Sequence, residues 1–268
     1  MVQLPYIVPL VAYAFMSVAH LLPGLFGPRV ERAVWPVALV GAVAHLGTLV
    51  VVLSMAQAPG FPDALSATSV SIVGAWLWVG RGRLGALGMF LGPLALVVLA
   101  TALVVPHHQV QALDSVGPSA WAPLHLGLMV AGLAGFTLCF AVGLTYLYVR
   151  RRLKQRSVHG LARLPALETL DRIQFRAMLF GFVFLTLGIG TGGAWASVSA
   201  LDQAWVVDPK VWFTLVVWAW YGIALQVRLV AGWRGRWSAL FGIVGFAGMG
   251  FSLLVLNFVV TGFHAYGP

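Results

Sequence analysis

The chain has 268 residues, of which 60% are hydrophobic and only 9% are charged, and its mean hydropathy is +0.94. Soluble globular domains carry about 25% charged residues, so this composition excludes a soluble domain and predicts a protein embedded in the lipid bilayer. The formal net charge of +9 does not indicate nucleic-acid binding, because the basic residues lie in short segments between apolar runs, where they orient a membrane protein.

Eight apolar segments are predicted as transmembrane helices, since a helix crosses the hydrocarbon core with about 20 apolar residues. They cover residues 5–26, 34–56, 64–80, 84–105, 121–149, 173–198, 209–230 and 237–263. The first segment is interpreted as a retained helix, because it lacks the preceding basic residue and the cleavage site of a signal peptide. The predicted fold is therefore all-α and polytopic, with a single transmembrane domain over residues 1–268.

The connections between these segments alternate in charge. Those after the odd-numbered segments contain all but one of the 16 Lys and Arg residues, including the longest connection, residues 150–172. The positive-inside rule predicts that these connections are cytoplasmic, which places both termini on the outer, periplasmic side of a bacterial inner membrane. Lys210 is the exception, because it falls on the outer side.

Few catalytic classes are compatible with the sequence. The single cysteine, Cys139, excludes an internal disulfide, a CxxC redox pair and covalent haem attachment through CxxCH. The chain also contains no HExxH, GxSxG or P-loop motif and no carboxylate pair within a span. Hydrolysis, nucleotide-driven transport and proton relay by carboxylates therefore lack their usual residues, which favours a binding or assembly protein without deciding whether the chain is an enzyme.

Two of the seven histidines are predicted to lie at the same depth on the outer side. Pro123 favours a helix start just before His125, and His264 follows the eighth segment at its outer end. A level pair of neutral imidazoles suits the two axial positions of haem iron. Interfacial histidines that only bind water or backbone groups are the alternative.

Lys210 has an unusual position. Asp208 and Pro209 are predicted as the N-cap and first residue of the seventh helix, so Lys210 falls in a first turn whose dipole disfavours a cation. An anionic partner such as a haem propionate would resolve this conflict, and a solvated lysine is the alternative.

Trp195 and Trp205 flank the outer connection between the sixth and seventh segments. Glycines are frequent beside Trp195, at positions 188, 190, 192 and 193. Such glycines allow close approach either of a flat ligand or of another helix. The two indoles are candidates for the wall of a pocket.

His45 and His20 fall within the first two segments, and an ionisable group at mid-membrane is a functional candidate. Their depths differ by roughly 7 Å at 1.5 Å per residue, so a second haem between them is not favoured. His45 is the preferred candidate of the two, either as a transient haem ligand or as a hydrogen-bond donor.

Several motifs resemble those of the cytochrome c assembly family, which includes CcsA, CcmC and the HemX-type proteins. They are Asp-Pro-Lys at 208–210, the Trp-rich seventh segment, Gly-Trp-Arg-Gly-Arg at 232–236, Thr-Gly-Phe-His-Ala-Tyr at 261–266 and Pro-Leu-His-Leu-Gly-Leu at 123–128. The resemblance implies haem b at the outer face, held by His125 and His264 beside the Trp-rich loop. Leu201, Asp202 and Val207 depart from the loop of the synthase members, and Gln226 replaces their membrane histidine.

These departures and His45 place the chain closest to the HemX-type branch. The resemblance then implies haem handling in c-type cytochrome biogenesis or haem homeostasis, with apocytochrome c or respiratory subunits as partners. Two alternatives remain open: a haem-containing electron-transfer or structural subunit of a membrane complex, and a small-solute permease without haem.

Overall fold

The computed structural model describes residues 4–22, 26–55, 60–105, 121–156, 164–198 and 206–251. These residues form eight α-helices and two short 3-10 helices, at Leu4–Tyr6 and Gly82–Leu87, and contain no strand. The α-helices are α1 (Ile7–Leu21), α2 (Pro28–Met55), α3 (Phe61–Val79), α4 (Gly88–Val104), α5 (Trp121–Lys154), α6 (Leu167–Val198), α7 (Pro209–Val230) and α8 (Arg236–Phe251). Each predicted segment thus corresponds to one helix.

Among the described residues, six helices have the length and apolar composition needed to cross a membrane, namely α1, α2, α4, α5, α6 and α7. α3 buries Asp63, Ser66, Thr68 and Ser69, which lower its hydropathy. α8 is described over 16 residues. The prediction of an all-helical, multi-pass membrane protein is confirmed, whereas eight spans and outward-facing termini stay predictions.

The connection between α5 and α6 is shorter than the predicted range of residues 150–172. α5 continues to Lys154 and α6 begins at Leu167. The apolar runs mark where a helix leaves the bilayer, but a helix can continue beyond that point. Arg151 and Arg152 lie in the last turn of α5 and Glu168 lies in the first turn of α6, where each charge complements the helix dipole.

The chain divides into two compact units, which are described separately below. Unit 1 contains residues 1–107 and 155–165, and unit 2 contains residues 108–154 and 166–268. The helices α1 to α4 belong to unit 1, and α5 to α8 belong to unit 2. The prediction of one transmembrane domain over residues 1–268 stays a prediction.

In unit 1, α1 packs against α2 and α4, and α3 packs against the same two helices. Large side chains such as Tyr13, Met16, Trp76 and Leu91 are almost fully buried between them. The indole of Trp76 donates a hydrogen bond to the carbonyl of Gly85, which ties α3 to the short 3-10 helix that precedes α4. A polar cluster around His45 lies within this apolar packing.

In unit 2, α5 and α6 form a closely packed antiparallel pair. A Cβ atom on Gly135 would lie 2.8 Å from the backbone nitrogen of Gly181, so only glycine permits this approach. Trp218 on α7 donates a hydrogen bond to Thr186 on α6 at 2.9 Å. α8 packs against α5 and α7.

The helices of unit 2 alternate in direction, so the start of one helix lies near the end of the next. The two ends of unit 2 carry different polar side chains. His125 near the start of α5 contacts the last third of α6, and the start of α7 follows that end of α6. At the opposite end, Asp171 near the start of α6 contacts Arg228 near the end of α7. We name these the His125 end and the Asp171 end.

Candidate functional site

His125 lies about one turn into α5, as predicted, and is fixed by a backbone group of α6. Its Nδ1 atom lies 2.8 Å from the carbonyl oxygen of Gly188. A carbonyl oxygen can only accept, so Nδ1 carries the proton and donates it to Gly188. The bond therefore selects the tautomer whose lone pair is on Nε2, the arrangement typical of metal-binding histidines.

The four glycines of α6 near His125 form two pairs that differ in what surrounds them. A Cβ atom on Gly192 would lie 2.8 Å from both Nδ1 and Cε1 of His125, and one on Gly188 would lie 2.7 Å from the sulfur of Met129. A Cβ atom on Gly190 or Gly193 would have no described heavy atom within 4 Å apart from its chain neighbours and the nearby backbone of α6. Gly188 and Gly192 therefore serve helix packing, whereas Gly190 and Gly193 leave open space in the described part of the chain.

Trp195 lies on the same face of α6 as Gly188 and Gly192, because residues three and seven apart are neighbours on a helix surface. The side chain is half-buried. Its Nε1 atom is buried, and no described residue accepts its hydrogen bond. A buried N–H without an acceptor costs free energy, so this indole is a candidate donor to a bound group.

The start of α7 has the predicted cap. Asp208 is the N-cap and Pro209 is the first helical residue, and the Asp208 Oδ1 atom accepts a hydrogen bond from the backbone nitrogen of Lys210 at 2.8 Å. Asp208 is only 3% exposed, and Lys210 is half-buried. The antiparallel register of α6 and α7 places Lys210 at the His125 end, together with Trp195.

The other predicted residues of this site, Trp205 and His264, lie outside the described residues. The same is true of His107, His108 and His159. Within the described ranges, no three side chains of His, Cys, Asp or Glu gather to hold a metal ion. The described candidates for binding a cofactor at this end are thus His125, Trp195 and Lys210.

His45 belongs to unit 1 and is fully buried among polar partners. Its Nδ1 atom lies 3.0 Å from the hydroxyl of Tyr13, and its Nε2 atom lies 2.9 Å from the hydroxyl of Ser66. One imidazole thereby connects α1, α2 and α3. Both ring nitrogens are engaged, so ligation of iron at His45 would require that one of these bonds break.

Replacing His45 with alanine is expected to destabilise unit 1 by roughly 2 to 6 kcal/mol, because two buried hydroxyl groups lose a partner at about 1 to 3 kcal/mol each. Chemical unfolding in detergent measures this loss. Thr48→Ala is the matched control one turn away, since among the described residues the Thr48 hydroxyl bonds to the backbone carbonyls of Ala44 and Pro5 and to no side chain. An equal effect of both substitutions would contradict the connecting role of His45.

An ion pair between Asp171 and Arg228, which was not predicted from the sequence, lies at the other end of unit 2. Asp171 accepts two hydrogen bonds from Arg228, at 2.9 and 2.7 Å, and a third from the backbone nitrogen of Gly235, at 2.8 Å. We name this group the Asp171 anchor. It fixes the turn between α7 and α8, where Gly232 and Gly235 have φ angles of +69° and +63°. The available signal was an acidic residue at the edge of an apolar segment within an otherwise basic region.

Comparison with known proteins identifies the family. The family model described as "Cytochrome C assembly protein" matches residues 36–264. The chain is 41% identical over 100 residues to "Cytochrome c biogenesis protein CcsA" of Prochlorococcus marinus (strain MIT 9515), which covers 37% of this chain and 32% of the relative. It is 29% identical over 186 residues to the protein of that name from Chlamydomonas reinhardtii, covering 68% and 51% of the two chains.

A third relative with that name, from Prochlorococcus marinus (strain MIT 9301), is 27% identical over 198 residues, covering 65% of this chain and 64% of its own. The chain thus spans between about a third and two thirds of the length of these curated relatives. The family match covers most of the chain and contains every residue of the predicted site. This chain belongs to the cytochrome c assembly protein family.

Proposed function

We propose that this protein handles haem during the maturation of c-type cytochromes and holds haem b at the His125 end of unit 2. The observation that carries the proposal is the hydrogen bond from His125 Nδ1 to Gly188, which leaves the lone pair on Nε2. The name of the relatives, cytochrome c biogenesis protein, supports a role in this pathway. Haem is here the cargo of the protein.

The residues present at this end fit a haem. His125 would supply one axial nitrogen, and His264 is proposed as the second. The buried Nε1–H of Trp195 would donate a hydrogen bond to a propionate, and the half-buried Lys210 would add a positive charge there. Trp205 is proposed as a further wall of the pocket, while Asp208 positions Lys210 through the cap of α7. The bound haem supplies an iron that accepts axial nitrogen ligands.

The partner would supply the chemistry of attachment. Covalent attachment of haem requires thiols, and Cys139 is the only cysteine in the chain and is fully buried. We therefore propose apocytochrome c as the thiol-bearing partner and the inner membrane of a bacterium, with the His125 end outward, as the location. The HemX-type branch is the proposed relationship within the family. A role in electron transfer across the bilayer is disfavoured, because both ring nitrogens of His45 are engaged.

The proposal is tested by purifying the protein in mild detergent and recording its reduced-minus-oxidised spectrum with a pyridine haemochrome assay. A b-type spectrum with about one haem per chain is expected from a single pair of axial histidines. Absence of haem after haem-supplemented expression would reject haem handling and favour the permease. A stoichiometry near two would require a second site and favour electron transfer.

Substituting Gly192 with alanine is expected to weaken haem retention by roughly tenfold or more, because the new methyl group displaces the imidazole of His125 from its bond to Gly188. Haem titration followed by absorbance measures the affinity. Gly190→Ala is the matched control on the same helix, since its new methyl group would contact no described side chain within 4 Å. Equal affinities of the two variants would show that the close approach at Gly192 does not position His125.

A further inference from the structure

The Asp171 end of unit 2 contains a cavity of about 540 Å³, formed by the start of α6, the end of α7 and the turn that follows α7. Three exposed arginines line it: Arg172 and Arg176 from α6, and Arg234 from the turn. Nothing in the proposed handling of haem at the opposite end uses this cavity.

The Asp171 anchor forms a rigid side of the cavity. Arg228 is 8% exposed, and its guanidinium is bound to both carboxylate oxygens of Asp171. The backbone nitrogen of Gly235 donates to the same carboxylate, so the residue before it, Arg234, is held at the cavity. Four arginines and two carboxylates line the cavity, so the lining keeps a net positive charge after Asp171 has paired with Arg228.

The remaining charges favour an anionic ligand. Among the described residues that line the cavity, the one other carboxylate is Glu168, which lies 3.7 Å from Arg172 in an exposed pair. Exposed pairs of this kind interact weakly. Three guanidinium groups therefore face one carboxylate, and guanidinium groups match the oxygen atoms of a phosphate in geometry as well as in charge.

The surroundings of the cavity indicate an amphiphilic ligand. Trp233 and Trp237 lie beside Arg234 with their rings 5.2 Å apart and are 43% and 48% exposed, as expected at the level of lipid headgroups. Leu229 lines the cavity and is 65% exposed, and the adjacent Val230 is 82% exposed. Basic groups thus adjoin an open apolar surface at the end of a membrane helix.

We propose that this cavity binds the phosphate group of an anionic phospholipid, with the acyl chains along Leu229 and Val230. Arg172, Arg176 and Arg234 contact the phosphate. Basic pockets at the ends of membrane helices are suited to such headgroups, because the arginines and the apolar surface satisfy the two parts of the lipid.

Native mass spectrometry of the detergent-solubilised protein, mixed with phosphatidylglycerol or phosphatidylcholine, tests the proposal. The wild type is expected to retain phosphatidylglycerol in preference to phosphatidylcholine. The double variant Arg176→Gln/Arg234→Gln is expected to retain it roughly 25-fold more weakly, at about a fivefold loss for each basic group. Arg83→Gln/Arg151→Gln is the matched control, because both arginines are exposed and lie outside the cavity lining.

Three results would overturn the proposal: equal retention of phosphatidylglycerol by the double variant and the control, no preference over phosphatidylcholine in the wild type, or displacement of the lipid by an equal concentration of inorganic phosphate. The last result would identify free phosphate as the ligand. The variant Arg176→Lys/Arg234→Lys retains both charges and is expected to bind phosphatidylglycerol more tightly than the glutamine variant but less tightly than the wild type, because lysine matches the charge of a phosphate and not its geometry. Equal retention by the lysine and glutamine variants would also contradict the phosphate assignment.

Discussion

Replacing His125 with alanine is expected to abolish haem retention by the purified protein. The substitution removes an axial ligand, and loss of even an outer partner of a metal ligand typically weakens affinity by roughly 10- to 100-fold. A larger loss, beyond about 100-fold, is therefore expected here. Haem titration monitored at the Soret band measures it, alongside the haem content of the protein as isolated.

Two further variants separate ligation from structural damage. His125→Gly leaves space for exogenous imidazole, and imidazole is expected to restore the haem spectrum if His125 acts as a ligand. His159→Ala is the control, since this residue lies in the predicted cytoplasmic connection, on the opposite side of the membrane from the proposed haem site. His264→Ala is expected to resemble His125→Ala. Full haem content in both single alanine variants would reject the pair of axial histidines.

The helices could be predicted from the sequence because the bilayer imposes a simple requirement of length and apolarity. Each of the eight predicted segments overlaps one of the observed helices. Their ends could not be predicted in the same way, since hydropathy marks the edge of the hydrocarbon and not the last hydrogen bond of a helix. α5 continues through its basic residues to Lys154, where positive charge favours the C-terminal end.

The parts of the site that depend on residues adjacent in the sequence could be predicted. Asp208 and Pro209 form the N-cap and first residue of α7, because capping involves only the next two or three residues. The acceptor for His125 could not be identified from the sequence, since Gly188 is 63 positions away. The four glycines near Trp195 could not be divided between packing and open space for the same reason.

The interpretation of His45 shows the same limit. A histidine within an apolar segment is a functional candidate, because its burial is unfavourable without partners. The partners, Tyr13 and Ser66, are hydroxyl-bearing residues on two other helices, 32 and 21 positions away. A sequence pattern does not reveal such pairings, whereas the structure provides a structural role for His45 that requires no ligand.

Disrupting the Asp171 anchor is expected to produce the largest loss of stability in unit 2. Asp171→Ala leaves the guanidinium of Arg228, which is 8% exposed, without its carboxylate, and also removes the acceptor for the backbone nitrogen of Gly235. Removing one partner of a buried ion pair destabilises a protein by about 3 to 5 kcal/mol. Chemical unfolding in detergent, followed by tryptophan fluorescence, measures the change in free energy.

Two further variants show whether loss of the ion pair itself causes the loss of stability. Adding Arg228→Met to Asp171→Ala is expected to recover much of the loss, because the second substitution removes the buried charge that the first left without its carboxylate. The pair Glu168 and Arg172 is the matched control on the same helix, since its side chains are 85% and 61% exposed. Glu168→Ala is expected to cost no more than about 0.5 kcal/mol. A comparable cost for Asp171→Ala would show that the Asp171 anchor does not stabilise the turn, and it would also remove the rigid support assigned to Arg234 at the lipid cavity.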